Sequence, residues 1–481
     1  MNREEFQALD LIFHPRSVAV VGVSGRPDNP NRFFLDSLRS LGFRGPIYAI
    51  NKRSEQVDDF PTFSSLQDVP DPIDHVIVAV PADNVMDVLD QCHRKGVKAV
   101  SVFSSGFSES DDAKGKELER ELSLWMKGKT FRLLGPNCMG IYCPSSGIGY
   151  RADFPREPGP IGFISQSGGM TITGVIGAAK RGLRFSKVIS YGNEVDISSH
   201  ELLYYLAMDP STELVWAYVE GTKNGRELFK AMKEVSRTKP LVVLKGGLTP
   251  SGVMAAASHT GSMAGESIIW EAALKEAGAV QVKSPESLVD TTQALLWLPP
   301  CRGRRLGLIC ISGGLSVNFT DLAVKGGFEV PRLSPSVVET LKSSMDLPGT
   351  SMNNPLDMAA GFFFFPQHAR IFKILEESGE LDLLVLVLAA EYFFHAVWEL
   401  GGMKISRMLL DAFVQAASQI SIPLVVVVTQ VGDEDIRKSF EEGFLKIKTP
   451  VFPTMERAVD ALQNWASHWE AKKRTTAGSM Y

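Results

Sequence analysis

Short runs of β-branched and other apolar residues alternate along this chain with longer stretches whose apolar positions repeat at helical spacing. In the first third, the runs at 17–23, 47–50, 75–80, 99–103 and 131–134 predict strands, and 83–95 and 111–127 predict helices between them. The strand-like runs carry few polar interruptions, as in a parallel sheet covered by helices on both faces. Residues 151–159 (RADFPREPG), with two prolines and mixed charge, read as a linker. A second series follows, with strands at 160–165, 185–190, 214–219 and 241–244 and helices at 169–181, 198–208 and 224–235. Beyond a further punctuation at 298–305 (LPPCRGRR), strands at 306–311, 381–388 and 424–428 mark a third series. The pattern predicts an α/β protein of three tandem domains, 1–150, 151–300 and 301–481, with 470–481 expected to fray.

The first series is Rossmann-like, and 481 residues are enough for several cores. A net charge of −5 with both signs mixed throughout disfavours a nucleic-acid partner, while leaving room for a local basic pocket around a phosphorylated ligand. No apolar run approaches the roughly 20 residues that span a bilayer. The opening MNREEFQALD lacks the order of a secretory signal, so a cytoplasmic protein away from the membrane is expected. The five cysteines are odd in number and show no CxxC pairing, which predicts reduced thiols and no structural zinc. The histidines show no ligand spacing either, so no metal site is expected on this chain.

Four places carry candidate chemistry. The strand-to-loop junction VAVVGVSGRPDNPNRFF can bring backbone N–H groups round a phosphate through Gly22, Ser24 and Gly25, although its third glycine is missing. Other strand ends point to the same edge: Val80-Pro81, Ser105-Gly106, and the GPNCMG segment containing Asn137. Each alone is an ordinary turn; their convergence suggests a ligand edge. In FISQSGGM, residues Ser165, Ser167, Gly168 and Gly169 lead into a helix whose free N–H groups suit an anion, or form a plain serine cap. His259, in the small-residue loop SHTGSMAG, is either a nucleophile that accepts a phosphoryl group or an exposed structural histidine. Glu220 closes an apolar strand, where it either orients an imidazole or pairs with a lysine such as Lys223.

SVAVVGVS, GPNCMG, FISQSGG and SHTGSMAG, supported by YGNEVDIS, YVEG and NNPLDM, resemble the alpha subunit of NDP-forming acyl-CoA synthetases, ADP-forming acetyl-CoA synthetase in particular, within the succinyl-CoA synthetase superfamily. The likeness runs from about residue 8 to about 465. It implies a CoA-binding Rossmann-like domain followed by two flavodoxin-like ligase domains. It implies that His259 is phosphorylated during turnover, that Glu220 holds its ring, and that the helix start at Ser167–Gly169 binds the phosphoryl group. Gly22, Ser24, Asn31, Lys52, Val80 and Pro81 lie around coenzyme A in this reading. The implied reaction interconverts acyl-CoA, ADP and phosphate with a carboxylic acid, CoA and ATP through acyl phosphate and phosphohistidine. The chain has no P-loop, and three α/β domains fill it, so ADP/ATP and Mg²⁺ are expected on a separate ATP-grasp beta subunit in a heterotetramer. A CoA-transfer enzyme without nucleotide, or a non-catalytic CoA-binding regulator, remains the alternative on the same fold. Pro30, where the family pattern has glycine, and the aromatic run Phe362 to Phe365 depart from that pattern. The aromatic run fits a core or an interface, or alternatively a pocket for a bulky acid.

Overall fold

The structure, a computed structural model, describes residues 1–26, 28–53, 56–110, 112–260, 266–345, 347–363, 365–392, 399–400 and 403–478, without the side chains of 257–260, 360, 365–366, 399–400, 403–405 and 475–478. The chain forms two compact units, Met1–Leu288 and Val289–Tyr481.

The first unit holds two sheets. One is made of β1 (Val18–Val21), β2 (Ile47–Ile50), β3 (Thr62–Phe63), β4 (His75–Val78), β5 (Ala99–Val102) and β6 (Arg132–Leu134), all parallel in the order β3-β2-β1-β4-β5-β6. That is the Rossmann order, in which strand direction of travel reverses between β1 and β4. The other comprises β7 (Gly140–Tyr142), β8 (Ile161–Ser165), β9 (Phe185–Ser190), β10 (Leu214–Val219), β11 (Leu241–Lys245) and β12 (Val280–Val282), in the order β12-β11-β10-β8-β9-β7. Apart from β7, which is antiparallel to β9, this is the flavodoxin-like order, reversing between β8 and β10. Phe163, Phe185 and Trp216 meet edge-on or tilted in its core.

The second unit contains β13 (Leu306–Cys310), β14 (Leu356–Asp357), β15 (Leu383–Leu388), a short hairpin of β16 (Glu399–Leu400) and β17 (Met403–Lys404), β18 (Leu424–Val428) and β19 (Val451–Phe452). Its main sheet, β14-β13-β15-β18-β19, is parallel and again flavodoxin-like. Phe362 is fully buried there and packs on Phe413 at 5.1 Å between ring centroids, so at this position the aromatic run fills a core.

The three-sheet α/β organisation agrees with the hydrophobic pattern, and the contacts between strands and helices add detail at two of the divisions. The second sheet draws β7 from before residue 150, because Gly140–Tyr142 hydrogen-bonds along β9. The second unit begins inside the helix Pro285–Trp297, ahead of residue 301. Arg457 grips Asp290 at 2.6 Å, and Asn464 donates to Thr291, which ties that half of the helix to the second unit. The segment expected to fray from 470 is helical to Gly478. Glu470 pairs with Arg304 at 2.7 Å and Lys473 donates to the Cys301 carbonyl, which anchors the turn.

His368 lies in the core of the second unit, stacked on Phe413 at 4.1 Å. Neither ring nitrogen is in hydrogen-bonding geometry with a partner among the described residues. Burial pulls its pKa down to about 4, against a weaker opposing pull from the Phe362 backbone. The unfolded chain takes up the proton near the ordinary value of 6.5 and the folded chain only near 4. This site's contribution to stability is therefore complete above the unfolded value and is lost as pH falls through the window between the two. His368→Phe is expected to lessen the fall in urea midpoint between these pH values; an unchanged pH slope would refute the assignment.

Candidate functional site

The cleft at the reversal point of the first sheet has a volume of about 640 Å³. Gly22 makes the turn that opens it. Its φ is +97°, and a Cβ there would lie 2.2 Å from the Ala79 carbonyl oxygen, so the end of β1 runs against the end of β4 with no room for a side chain. Gly22, Ser24, Lys52, Val80 and Pro81 line the cleft, together with Arg26 and Arg53, which the sequence reading did not select. Three cations beside a glycine turn suit a polyphosphate ligand.

Asn31 is used differently. Its amide donates to the Gly22 carbonyl at 2.9 Å and to the Ala79 carbonyl at 2.8 Å, so it staples the loop to both strand ends from behind. The Gly25 carbonyl likewise accepts from Arg32 and does not border the cleft. Pro30 opens a short 3-10 turn capped by Asn29, a position where a missing N–H costs no hydrogen bond.

Ser105, Gly106 and Asn137 also lie outside this cleft. Gly106 donates to Glu109, and Asn137, at φ +56°, donates its side-chain amide to Asn193. These bonds belong to a junction between the two sheets of the first unit. The Asn193 amide donates to Glu109 at 2.6 Å and to Glu119 at 2.7 Å, and Lys223 bonds both Glu119 and the Asn193 carbonyl. Lys223 is thus drawn to Glu119 and not to Glu220. Beside it Glu194 sits at φ +53°; burial pushes its carboxyl up, against hydrogen bonds from Ser199.

The reversal point of the second sheet brings two sequence-distant candidates together. Strand β8 ends in Ser165, and the helix Gly168–Lys180 starts beyond a cap at Ser167, whose hydroxyl accepts from the Met170 amide. Ser165 bonds the backbone of Ser167 in both directions and so shapes the turn instead of facing a ligand. The amides of Gly168 and Gly169 have no acceptor among the described residues, as expected at the positive end of a helix. Glu220, almost wholly buried, closes the adjacent β10. Gln166 joins the two: its carbonyl oxygen accepts from the amide of Glu220 at 2.5 Å and from that of Gly221 at 3.0 Å.

Lys245 approaches from the other neighbour, β11. Its ammonium donates to the Glu220 carbonyl at 2.7 Å and to the Gly246 carbonyl, and lies 4.8 Å from the centre of the Trp270 ring. Burial draws its pKa down to about 8, opposed by Glu220. The Tyr218 hydroxyl is pushed well above its ordinary range, first by burial and then by the nearby charge of Glu220. Gln166 stood inside a recognised motif, and Lys245 is a charge closing an apolar strand, the signal that identified Glu220.

The helix Pro250–Thr260 follows β11, and the His259 backbone is in its last turn, where the sequence suggested a loop. The His259 side chain and residues 261–265 lie outside the described structure. Among the described residues, no three or more His, Cys, Asp or Glu gather as metal ligands would. No helix among the described residues is long and apolar enough to cross a membrane.

Residues 16–144 match the family described as a CoA binding domain, and residues 158–295 the succinyl-CoA ligase like flavodoxin domain. The chain is 32% identical to the alpha subunit of ADP-forming acetate–CoA ligase I from Pyrococcus furiosus, over 97% of this chain and 99% of the relative. It is 36% identical to ADP-forming acetate–CoA ligase of Methanocaldococcus jannaschii over 73% of its own length, but spans only 49% of that protein. Its fold matches dinucleotide forming acetyl-coenzyme A synthetase 1 of Ca. Korarchaeum cryptofilum, solved with phosphate and ADP, at a TM-score of 0.83, 29% identity and 98% coverage of each chain.

The backbone contact at Gly22 yields a test. Gly22→Ala adds a clash with Ala79 to the strain of a positive φ, whereas Gly42→Ala, at φ +83° with nothing within 4 Å, adds strain alone. Strain of this kind costs about 1–3 kcal/mol. Urea unfolding is expected to find Gly22→Ala the more destabilised; equal losses would refute the close approach of β1 and β4.

Proposed function

This chain belongs to the family of ADP-forming acetate–CoA ligase alpha subunits, which are acid–thiol ligases, and from that premise we propose that it carries the CoA site and the phosphorylated histidine of such an enzyme. Acyl-CoA and phosphate exchange a C–S bond for a C–O bond, giving acyl phosphate and free CoA. The phosphoryl group passes to an imidazole nitrogen of His259 as the carboxylic acid leaves. ADP then takes it to give ATP. ADP and Mg²⁺ belong to a separate ATP-grasp beta subunit, paired with this chain in a heterotetramer. This division of labour is supported by the end-to-end match to an alpha subunit and by the half-length match to a relative not named as a subunit.

The observation that carries the reading is the meeting of an anion-binding helix start with a buried carboxylate at one reversal point, tied by Gln166. Phosphoryl transfer depends mainly on positioning and charge stabilisation. Free amides at Gly168 and Gly169 offer donors to phosphoryl oxygens. The Glu220 carboxylate is the acceptor that holds an imidazole N–H, leaving the other nitrogen to take the phosphoryl group. CoA fits the first cleft: the glycine turn and the cations Arg26, Lys52 and Arg53 suit its phosphates.

The test mixes the purified chain with a related ATP-grasp subunit and γ-labelled ATP. Acid-labile, base-stable label is expected on this chain and absent in His259→Ala, and Glu220→Gln is expected to slow labelling by about a hundred- to ten-thousandfold. No label, with the partner competent on its own alpha subunit, would refute the phosphohistidine and favour CoA transfer or regulation.

A further inference from the structure

We propose that Lys245 is a positioning residue for the phosphoryl-carrying histidine, holding the Glu220 main chain from β11 while Gln166 holds it from β8. The inference rests on the proposed function above. A strand that runs Leu-Val-Val-Leu would most simply end in another apolar residue. Instead it ends in a lysine that is only 4% exposed. Burying such an ion costs several kcal/mol unless its protons are all engaged.

Here they are engaged by the carbonyls of Glu220 and Gly246 and by the face of Trp270. The Glu220 peptide is consequently held on both sides. Its N–H and that of Gly221 go to Gln166, and its C=O goes to Lys245. With both sides held, the carboxylate leaves the backbone in one direction. The same ammonium lies within electrostatic reach of the Glu220 side chain, which partly offsets the burial that lowers the lysine's pKa. Lys245 touches neither the phosphoryl group nor the substrate in this scheme and acts only through Glu220.

A double-mutant cycle on the labelling rate separates that role from a general structural one. The chains compared are wild type, Lys245→Met, Glu220→Gln and the double variant, each with the ATP-grasp subunit. Lys245→Met is expected to slow phosphohistidine formation about ten- to a hundredfold, the loss anticipated for a charged buried hydrogen bond, with CoA affinity within about twofold of wild type. In the Glu220→Gln background the same change is expected to cost no more than about twofold, because its target is already gone. Wild-type labelling by Lys245→Met, or losses that multiply in the double variant, would overturn the proposal. Should Lys245→Met fail to fold, Lys245→Gln enters the same cycle under the same criteria. A wild-type chain that takes no label, or a label that survives His259→Ala, would instead bring down the phosphohistidine reading itself.

Discussion

Backbone groups at the carboxyl end of a parallel strand run out of ladder partners, and if they are buried something else must satisfy them. In the second sheet those of Glu220 and Gly221 are met by side chains from the two flanking strands. This constraint couples the turn before the helix Gly168–Lys180 to the carboxylate. Gln166 cannot leave the turn without stranding two amides, each at a cost of about 1–3 kcal/mol. The main chain of Glu220 is thus fixed by side chains from both of its neighbours.

The same economy holds the first unit together. Its exposed ion pairs, such as Arg120 with Glu117, contribute about 0–1 kcal/mol each and cannot fix one sheet against another. Buried groups can. Within the second sheet's own layers, Lys187 of β9 meets Asp209 at the end of the helix Ser199–Met208 at 2.9 Å, with both side chains about 5% exposed or less. Burial would raise the Asp209 carboxyl, but hydrogen bonds from Thr212 and Lys187 hold it below its ordinary value. Removing one partner of such a pair costs about 3–5 kcal/mol. On the same side, Tyr205 stacks on Phe6 and Phe13 of the first helix and donates to Asp10 at 2.6 Å. At the opposite strand ends Asn193 joins the loops of both sheets. The cleft at Gly22 and the Gln166–Glu220 site are therefore parts of one connected unit.

Much of this was legible along the chain. Strands such as Leu214–Val219 and Leu383–Leu388 are buried nearly throughout, so they appear as unbroken apolar runs flanked by helical patterns. Thr62–Phe63, Leu356–Asp357 and Val451–Phe452 escaped because two residues cannot display a period. Gly140–Tyr142 could not be assigned to its sheet, since pairing with β9 is a contact made across tens of residues. Asn31 enters the sequence reading only through the family resemblance, and a linear motif does not show that its amide bonds the Gly22 and Ala79 carbonyls.

The sequence by itself determined the α/β class, the three series of strands, the helix start at Ser167–Gly169, the acid at Glu220 and the motif around His259. Each is a local property, readable from periodicity, capping chemistry or a contiguous string of residues. Tertiary structure alone decided that β8, β10 and β11 are neighbours, which unites Gln166, Glu220 and Lys245 although the first two are 54 positions apart and the last two 25. Strand order is set by how helices pack on the faces of the whole sheet. No local pattern encodes it, so the clamp on Glu220 became visible only in the folded chain.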